Sequence, residues 1–222
     1  MNSFDQDYLN KYGKIIGIDE AGRGPLAGPV FTAAVYVDSK EELKLLSNIG
    51  ADSKKLSEKE RIKRFNFLIK NFKYDINYSD ESVIDEINIL RATNLSMIKN
   101  LKKLDLKDVF LMVDGKNFYF DDRFECVIKG DEKSSLIGAA SILAKVSRDN
   151  YMITLDERFP EFEFKRHKGY PTKKHIENVL KYGIIKDYRI TFNPIKKFLI
   201  ENKVKYNKND FSKYRLIKLG IL

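Results

Sequence analysis

The sequence predicts an α/β protein, a central mixed sheet with helices on both faces and a helical C-terminal extension. Three observations carry this. Apolar runs rich in β-branched residues recur through the first two thirds of the chain. Segments with apolar residues at helical spacing alternate with them in the middle, and the end is helical throughout.

Lys14 to Asp19 reads as a buried strand that ends in acid. Ala21 to Gly28, with three glycines and a proline, is a turn or loop. Val30 to Val37 is a second strand, and the short loop before it predicts antiparallel pairing. Ser57 with Glu60 fits a capping box, and Ile62, Phe65, Leu68 and Ile69 follow at helical spacing. Phe72 to Tyr78 alternates as a half-exposed strand does. Ala92 to Leu104 is helical. Val109 to Val113 is apolar throughout, as in a strand covered on both faces. Phe124 to Ile128 is a shorter strand. Lys133 to Arg158 reads as one long helix, Thr172 caps another, and Pro194 opens one more.

The 222 residues suit one domain with an appendage, residues 1–194 and 195–222. The appendage stands out by charge. It holds eight basic residues and two acids, so +6 of the formal +9 lies there. That balance favours an anionic partner such as nucleic acid and predicts a duplex-gripping extension. One cysteine and two histidines leave no thiolate cluster for zinc and make zinc catalysis on paired histidines a poor fit. The polar N-terminus has no apolar targeting segment, and no apolar run is long enough for a membrane span. A cytoplasmic location is expected, with no membrane partner.

Three strands end in acid: Asp19 with Glu20, Asp114, and Asp131. Such ends are where open α/β sheets place their sites. Carboxylates gathered there repel unless a cation lies between them, and all-oxygen ligands suit Mg²⁺ or Mn²⁺. Two such ions can serve phosphodiester hydrolysis. Each acid alone reads equally well as a turn residue or a helix cap. Neighbouring strand residues point to opposite faces, so Asp19 and Glu20 share a centre only if the chain turns directly after them.

The segment Gly17-Ile18-Asp19-Glu20-Ala21-Gly22-Arg23-Gly24-Pro25-Leu26-Ala27-Gly28-Pro29 resembles the opening motif of ribonuclease HII, the prokaryotic type 2 ribonuclease H. Asp52 to Ser57, Ile87 to Thr93, Val113-Asp114-Gly115, Lys129-Gly130-Asp131 with Ala139 to Asp149, and His167 to Thr172 match in order. The resemblance runs from about Ile15 to Pro194 and implies a ribonuclease H-like fold. It implies an endonuclease for RNA/DNA hybrids and for single ribonucleotides in duplex DNA, cutting 5′ of the ribonucleotide to leave a 3′-hydroxyl and a 5′-phosphate. Asp19, Glu20, Asp114 and Asp131 match its catalytic, metal-binding carboxylates, with two Mg²⁺ or Mn²⁺ ions when substrate is bound. Gly22-Arg23-Gly24 matches the motif whose backbone reads the ribose 2′-hydroxyl, and Tyr170 the ring that stacks at the RNA–DNA junction.

Ser141, Lys145 and Arg148 share one helix face and are candidate phosphate contacts, as are Lys54, Lys55 and Lys129. A solvated surface is the plain alternative for each. His167 is expected to be structural and Cys126 buried. A monomer is expected. An integrase-like DNA transferase and a non-catalytic nucleic-acid binder remain as alternatives. The first has no 2′-hydroxyl to read, and the second has no use for four carboxylates.

Overall fold

The computed structural model describes residues 3–47 and 56–221. Lys54 and Lys55 lie outside them. In chain order the elements are α1 (Ser3–Tyr12), β1 (Ile15–Ala21), β2 (Val30–Val37), α2 (Lys40–Ser47), α3 (Glu58–Asn71), β3 (Lys73–Ser79), α4 (Glu81–Ile87), α5 (Ile89–Leu104), β4 (Phe110–Asp114), β5 (Arg123–Val127), α6 (Gly130–Lys133), α7 (Ser135–Arg158), α8 (Phe164–His167), α9 (Lys173–Tyr182), α10 (Ile195–Ile200) and α11 (Lys213–Lys218). They fall into two compact units. The first comprises Met1–Ala21, Phe31–Tyr78 and Thr93–Ser147; the second comprises Gly22–Val30, Ser79–Ala92 and Arg148–Leu222.

The first unit holds a five-stranded mixed sheet in the order β3-β2-β1-β4-β5. β1 pairs antiparallel with β2, as its short connection predicts, and parallel with β4, which pairs parallel with β5. Side chains alternate across the sheet. Ala33, Val35 and Val37 of β2 join a core with Leu136, Ala140 and Leu143 of α7. On the other face, Thr32 hydrogen-bonds Ser96 and Asn100 of α5. Helices therefore cover both faces, as expected. Gly17 permits the close approach of α7, because a Cβ there would lie 2.6 Å from the Leu136 backbone.

The start of α7 differs from expectation. The helix predicted from Lys133 is broken at Ser134, whose backbone is extended (φ −116°, ψ 123°). Ser134 Oγ accepts the Ile137 amide at 3.0 Å, which satisfies an orphan donor of the new first turn. Asp5 accepts from the amides of Ser135 at 2.7 Å and Leu136 at 3.3 Å, and from Ser134 Oγ. Asp5 lies on α1, a helix outside the expected elements, whose Phe4, Tyr8, Leu9 and Tyr12 fall at helical spacing. Tyr12 of α1 stacks on Phe110 at 3.9 Å, so α1 is fastened to the sheet.

The second unit is mostly helical. Leu26, Met152, Phe162, Phe164, Val179, Tyr188, Ile195, Leu199, Val204, Phe211 and Leu216 form its core. Residues 195–222, distinct by charge, are therefore not distinct in space. Of their basic residues Arg215 is buried against Asp85, and Lys218 donates to the carbonyls of Asp85 and Glu86. Among the described residues no helix is long and apolar enough to cross a membrane.

Candidate nuclease site

Register builds the carboxylate group. The last pair of the parallel β1–β4 ladder is Ile18 with Val113. One residue further come Asp19 and Asp114, at the carboxyl ends of neighbouring parallel strands. Asp114 Oδ1 accepts the Gly130 amide at 2.6 Å, which ties the start of α6 to the end of β4. Asp131 follows in the first turn of α6 and is buried. The acid expected at the end of a third strand is thus delivered by a helical turn.

Asp19 is buried, and its carboxyl is pushed well above the ordinary range. Burial is the largest cause, followed by the like charges of Glu20 and Asp114; hydrogen bonds from Ser141 and the Glu20 amide oppose them. The chain leaves the strand at Gly22 (φ +98°), one residue later than a turn directly after Glu20. β1 continues to Ala21, with Glu20 paired to Thr32, so the pleat still alternates through Asp19 and Glu20. The charge of Glu20 reaches Asp19 nonetheless. Among the described residues, no three or more His, Cys, Asp or Glu side chains stand ready as a metal-holding group. The donor chemistry still fits a hard cation. Mg²⁺ is held by one or two carboxylates with water and substrate phosphate, not by an all-protein cage.

The second unit contains the glycine loop. Gly22 has φ +98°, a conformation that disfavours any side chain. The ring of Tyr170, 44% exposed, lies beside this loop; a Cβ on Gly24 would stand 3.5 Å from its Cε1. Residues 146 positions apart in the sequence are thereby brought together. The Tyr170 segment is fixed by two buried histidines stacked at 4.1 Å. His167 Nδ1 accepts the Gly169 amide at 3.2 Å, so its Nε2 carries the proton donated to Phe162 O at 2.8 Å. His175 lies 2.8 Å from Tyr170 O through Nδ1 and 2.8 Å from the Tyr188 hydroxyl through Nε2. His167 is structural, as expected.

The helix-face candidates divide. Ser141 is engaged with Asp19, and Lys145 is half-buried. Arg148 is not a surface phosphate contact: it is 1% exposed and donates to the carbonyls of Pro29, Lys168 and Ala27 at 3.0 to 3.2 Å. A helical wheel shows which residues share a face but not which faces are covered. Lys129 is exposed and pairs with Glu132 at 3.9 Å. Cys126 is half-buried on β5. Arg189, which no sequence pattern signals, is fully buried against the glycine loop. A cavity of about 370 Å³ lies at the opposite strand ends, lined by Ile16, Ile98, Leu101 and Val109, away from these carboxylates.

The sequence model of ribonuclease HII matches residues 16–198, most of the chain, a span that includes Asp19, Glu20, Asp114 and Asp131. The chain belongs to the ribonuclease HII family. It is 42% identical to the ribonuclease HII of Endomicrobium trichonymphae over 206 residues, covering 91% of this chain and 96% of that relative. It is 46% identical to that of Caldicellulosiruptor bescii over 193 residues, covering 85% of this chain and 91% of the relative. Among solved structures, ribonuclease H2 of Pyrococcus horikoshii superposes with a TM-score of 0.71 at 27% identity, over 85% of this chain and 98% of that one. The fold is ribonuclease H-like, as the sequence implied. The protein is an endonuclease of the ribonuclease H type, with endoribonuclease activity on RNA/DNA hybrids.

Proposed function

We propose that the protein also cuts duplex DNA 5′ of a single embedded ribonucleotide, leaving a 3′-hydroxyl and a 5′-phosphate. The packing of Tyr170 beside Gly24 carries this reading. The 2′-hydroxyl is what distinguishes RNA from DNA at a given position. Glycine backbone can approach a sugar closely, and an aromatic ring beside it offers a stacking surface for the next nucleotide.

Asp19, Glu20, Asp114 and Asp131 are the residues we assign to hold Mg²⁺ or Mn²⁺, two ions with substrate bound. When bound, such ions supply an activated water and stabilise the leaving oxygen. The raised proton affinity of Asp19 supports the assignment, because a buried carboxyl beside two like charges is neutralised by either a proton or a cation. Ser141 and the Glu20 amide hold the Asp19 carboxylate in place. Gly130 does the same for Asp114. One half-buried cysteine suits a reducing, cytoplasmic setting.

The test offers three duplexes: DNA with one ribonucleotide, the all-DNA control, and an RNA/DNA hybrid, each with Mg²⁺, Mn²⁺ or EDTA. We expect metal-dependent cleavage of the first and third only. Equal cutting of the all-DNA control, or cutting of the hybrid alone, would sink the reading.

A further inference from the structure

A loop with glycine at 22, 24 and 28 is an unpromising tool for reading a sugar, because glycine leaves the backbone free to take many shapes. Its carbonyls also need donors that a regular ladder would otherwise provide. In the second unit both needs are met by one side chain. Arg189 Nη2 donates to Gly22 O at 2.7 Å and to Gly28 O at 2.6 Å. Its Nη1 donates to Arg23 O at 3.0 Å and its Nε to Gly28 O at 2.9 Å. A guanidinium is planar and presents its donors in a rigid fork. The two ends of the glycine loop are therefore held at a fixed separation by one rigid plane.

Arg148 completes the brace. It donates to Ala27 O and Pro29 O, and it occupies the space a side chain at Gly22 would need: a Cβ there would come 2.0 Å from Arg148 Nε. It also donates to Lys168 O, two residues before Tyr170. Two buried cations side by side are costly. Burial and the Arg148 charge lower the proton affinity of Arg189 to about 9. Ordinary packing would be served more cheaply by apolar side chains.

We propose that Arg189 is a positioning residue for sugar recognition, holding Gly22, Arg23 and Gly28 in the one shape that reads a ribose 2′-hydroxyl. This rests on the reading that the glycine loop contacts that hydroxyl. Preorganisation of this kind acts on kcat more than on KM, because a misplaced loop still binds duplex but sets the scissile sugar wrongly.

The experiment measures kcat and KM for the parent, Arg189→Gln, Arg189→Lys and Gly22→Ala. The substrates are two duplexes differing only in a 2′-hydroxyl or a 2′-fluoro group at the target nucleotide. The ratio of the two rates is taken within each sample, so a partly unfolded fraction cancels. If Arg189→Gln does not fold, Arg189→Lys is read, since its single ammonium cannot span three carbonyls. We expect kcat on the ribonucleotide to fall by about a hundredfold, with KM little changed and the hydroxyl-to-fluoro ratio reduced. An unchanged ratio in both Arg189 variants, with the ratio lost in Gly22→Ala, overturns the positioning role and leaves the loop reading intact. An unchanged ratio in Gly22→Ala overturns the loop reading and with it the proposal.

Discussion

Asp85 Oδ2 receives two hydrogen bonds from Arg215, from Nε at 2.9 Å and from Nη2 at 2.6 Å, with both side chains buried. The same carboxylate accepts from the amides of Ile190 and Thr191 at 3.0 Å each. Removing one partner of a buried pair strands the other's charge. Arg215→Ala should therefore destabilise the protein by about 3–5 kcal/mol, measured by urea unfolding. Deleting residues 203–222 removes Arg215 together with the core residues Val204, Phe211 and Leu216, and should be at least as damaging. A truncation with parental stability would contradict this packing.

Because the basic segment is part of the fold, its charge must be tested without cutting it off. Lys196, Lys205, Lys208 and Lys213 are exposed. Replacing all four by Gln should leave the melting temperature near that of the parent. It should weaken binding to duplex substrates and flatten the dependence of log K on log salt by about 0.9 for each lysine that neutralises a phosphate. The cleavage position should not move. An unaltered salt slope would return these lysines to a role in solubility.

Asp19→Asn removes the charge at the centre of the carboxylate group while keeping its shape. Cleavage should fall to the background of the EDTA control, and hybrid binding should persist in a gel-shift assay. Loss of folding along with activity would mark Asp19 as structural instead.

What could be read from the sequence, and what could not, follows from range. Apolar β-branched runs report a sheet locally, so β1, β2 and β4 were legible within a residue or two. Asp19, Asp114 and the glycine loop were legible because each sits in or beside such a run. The supports were not. Asp5 reaches the start of α7 across 129 to 131 residues, and Arg189 reaches Gly22 across 167. Nothing near Asp5 or Arg189 announces a distant partner, although α1 itself carries Phe4, Tyr8, Leu9 and Tyr12 at helical spacing against the core. Arg148 misled for the related reason that its helix face is covered by the loop it supports.

Tyr170 tests the junction reading separately from the chemistry. Its ring is exposed enough to meet a ligand and lies 6.0 Å from the Arg148 guanidinium, so it is supported from one side. Tyr170→Ala should slow cleavage at single ribonucleotides by about tenfold or more, the equivalent of a lost stacking contact of about 1–3 kcal/mol. Cleavage of long hybrids should suffer less. Equal losses on both substrates would count against a role at the junction.

Glu81 gives the clearest pH signature. It is buried at the start of α4, its Oε1 accepts no hydrogen bond among the described residues, and burial raises its pKa to about 8. In the unfolded chain it ionises near 4.5. The folded state thus holds a proton that the unfolded state has lost, and stability falls as pH rises from about 4.5 to about 8. His175 acts in the opposite sense. Burial and His167 lower its pKa to about 4, so its contribution is complete above 6.5 and is lost as pH falls from there toward 4. Glu81→Gln isolates the first effect, because every other group cancels between variant and parent at the same pH. The two should be equally stable near pH 4.5. By pH 8 the variant should be the more stable, by a margin that grows by about 1.4 kcal/mol per pH unit across the window. Chemical denaturation at a series of pH values checks this. A constant difference between the curves would mean that Glu81 is ionised in the folded protein throughout.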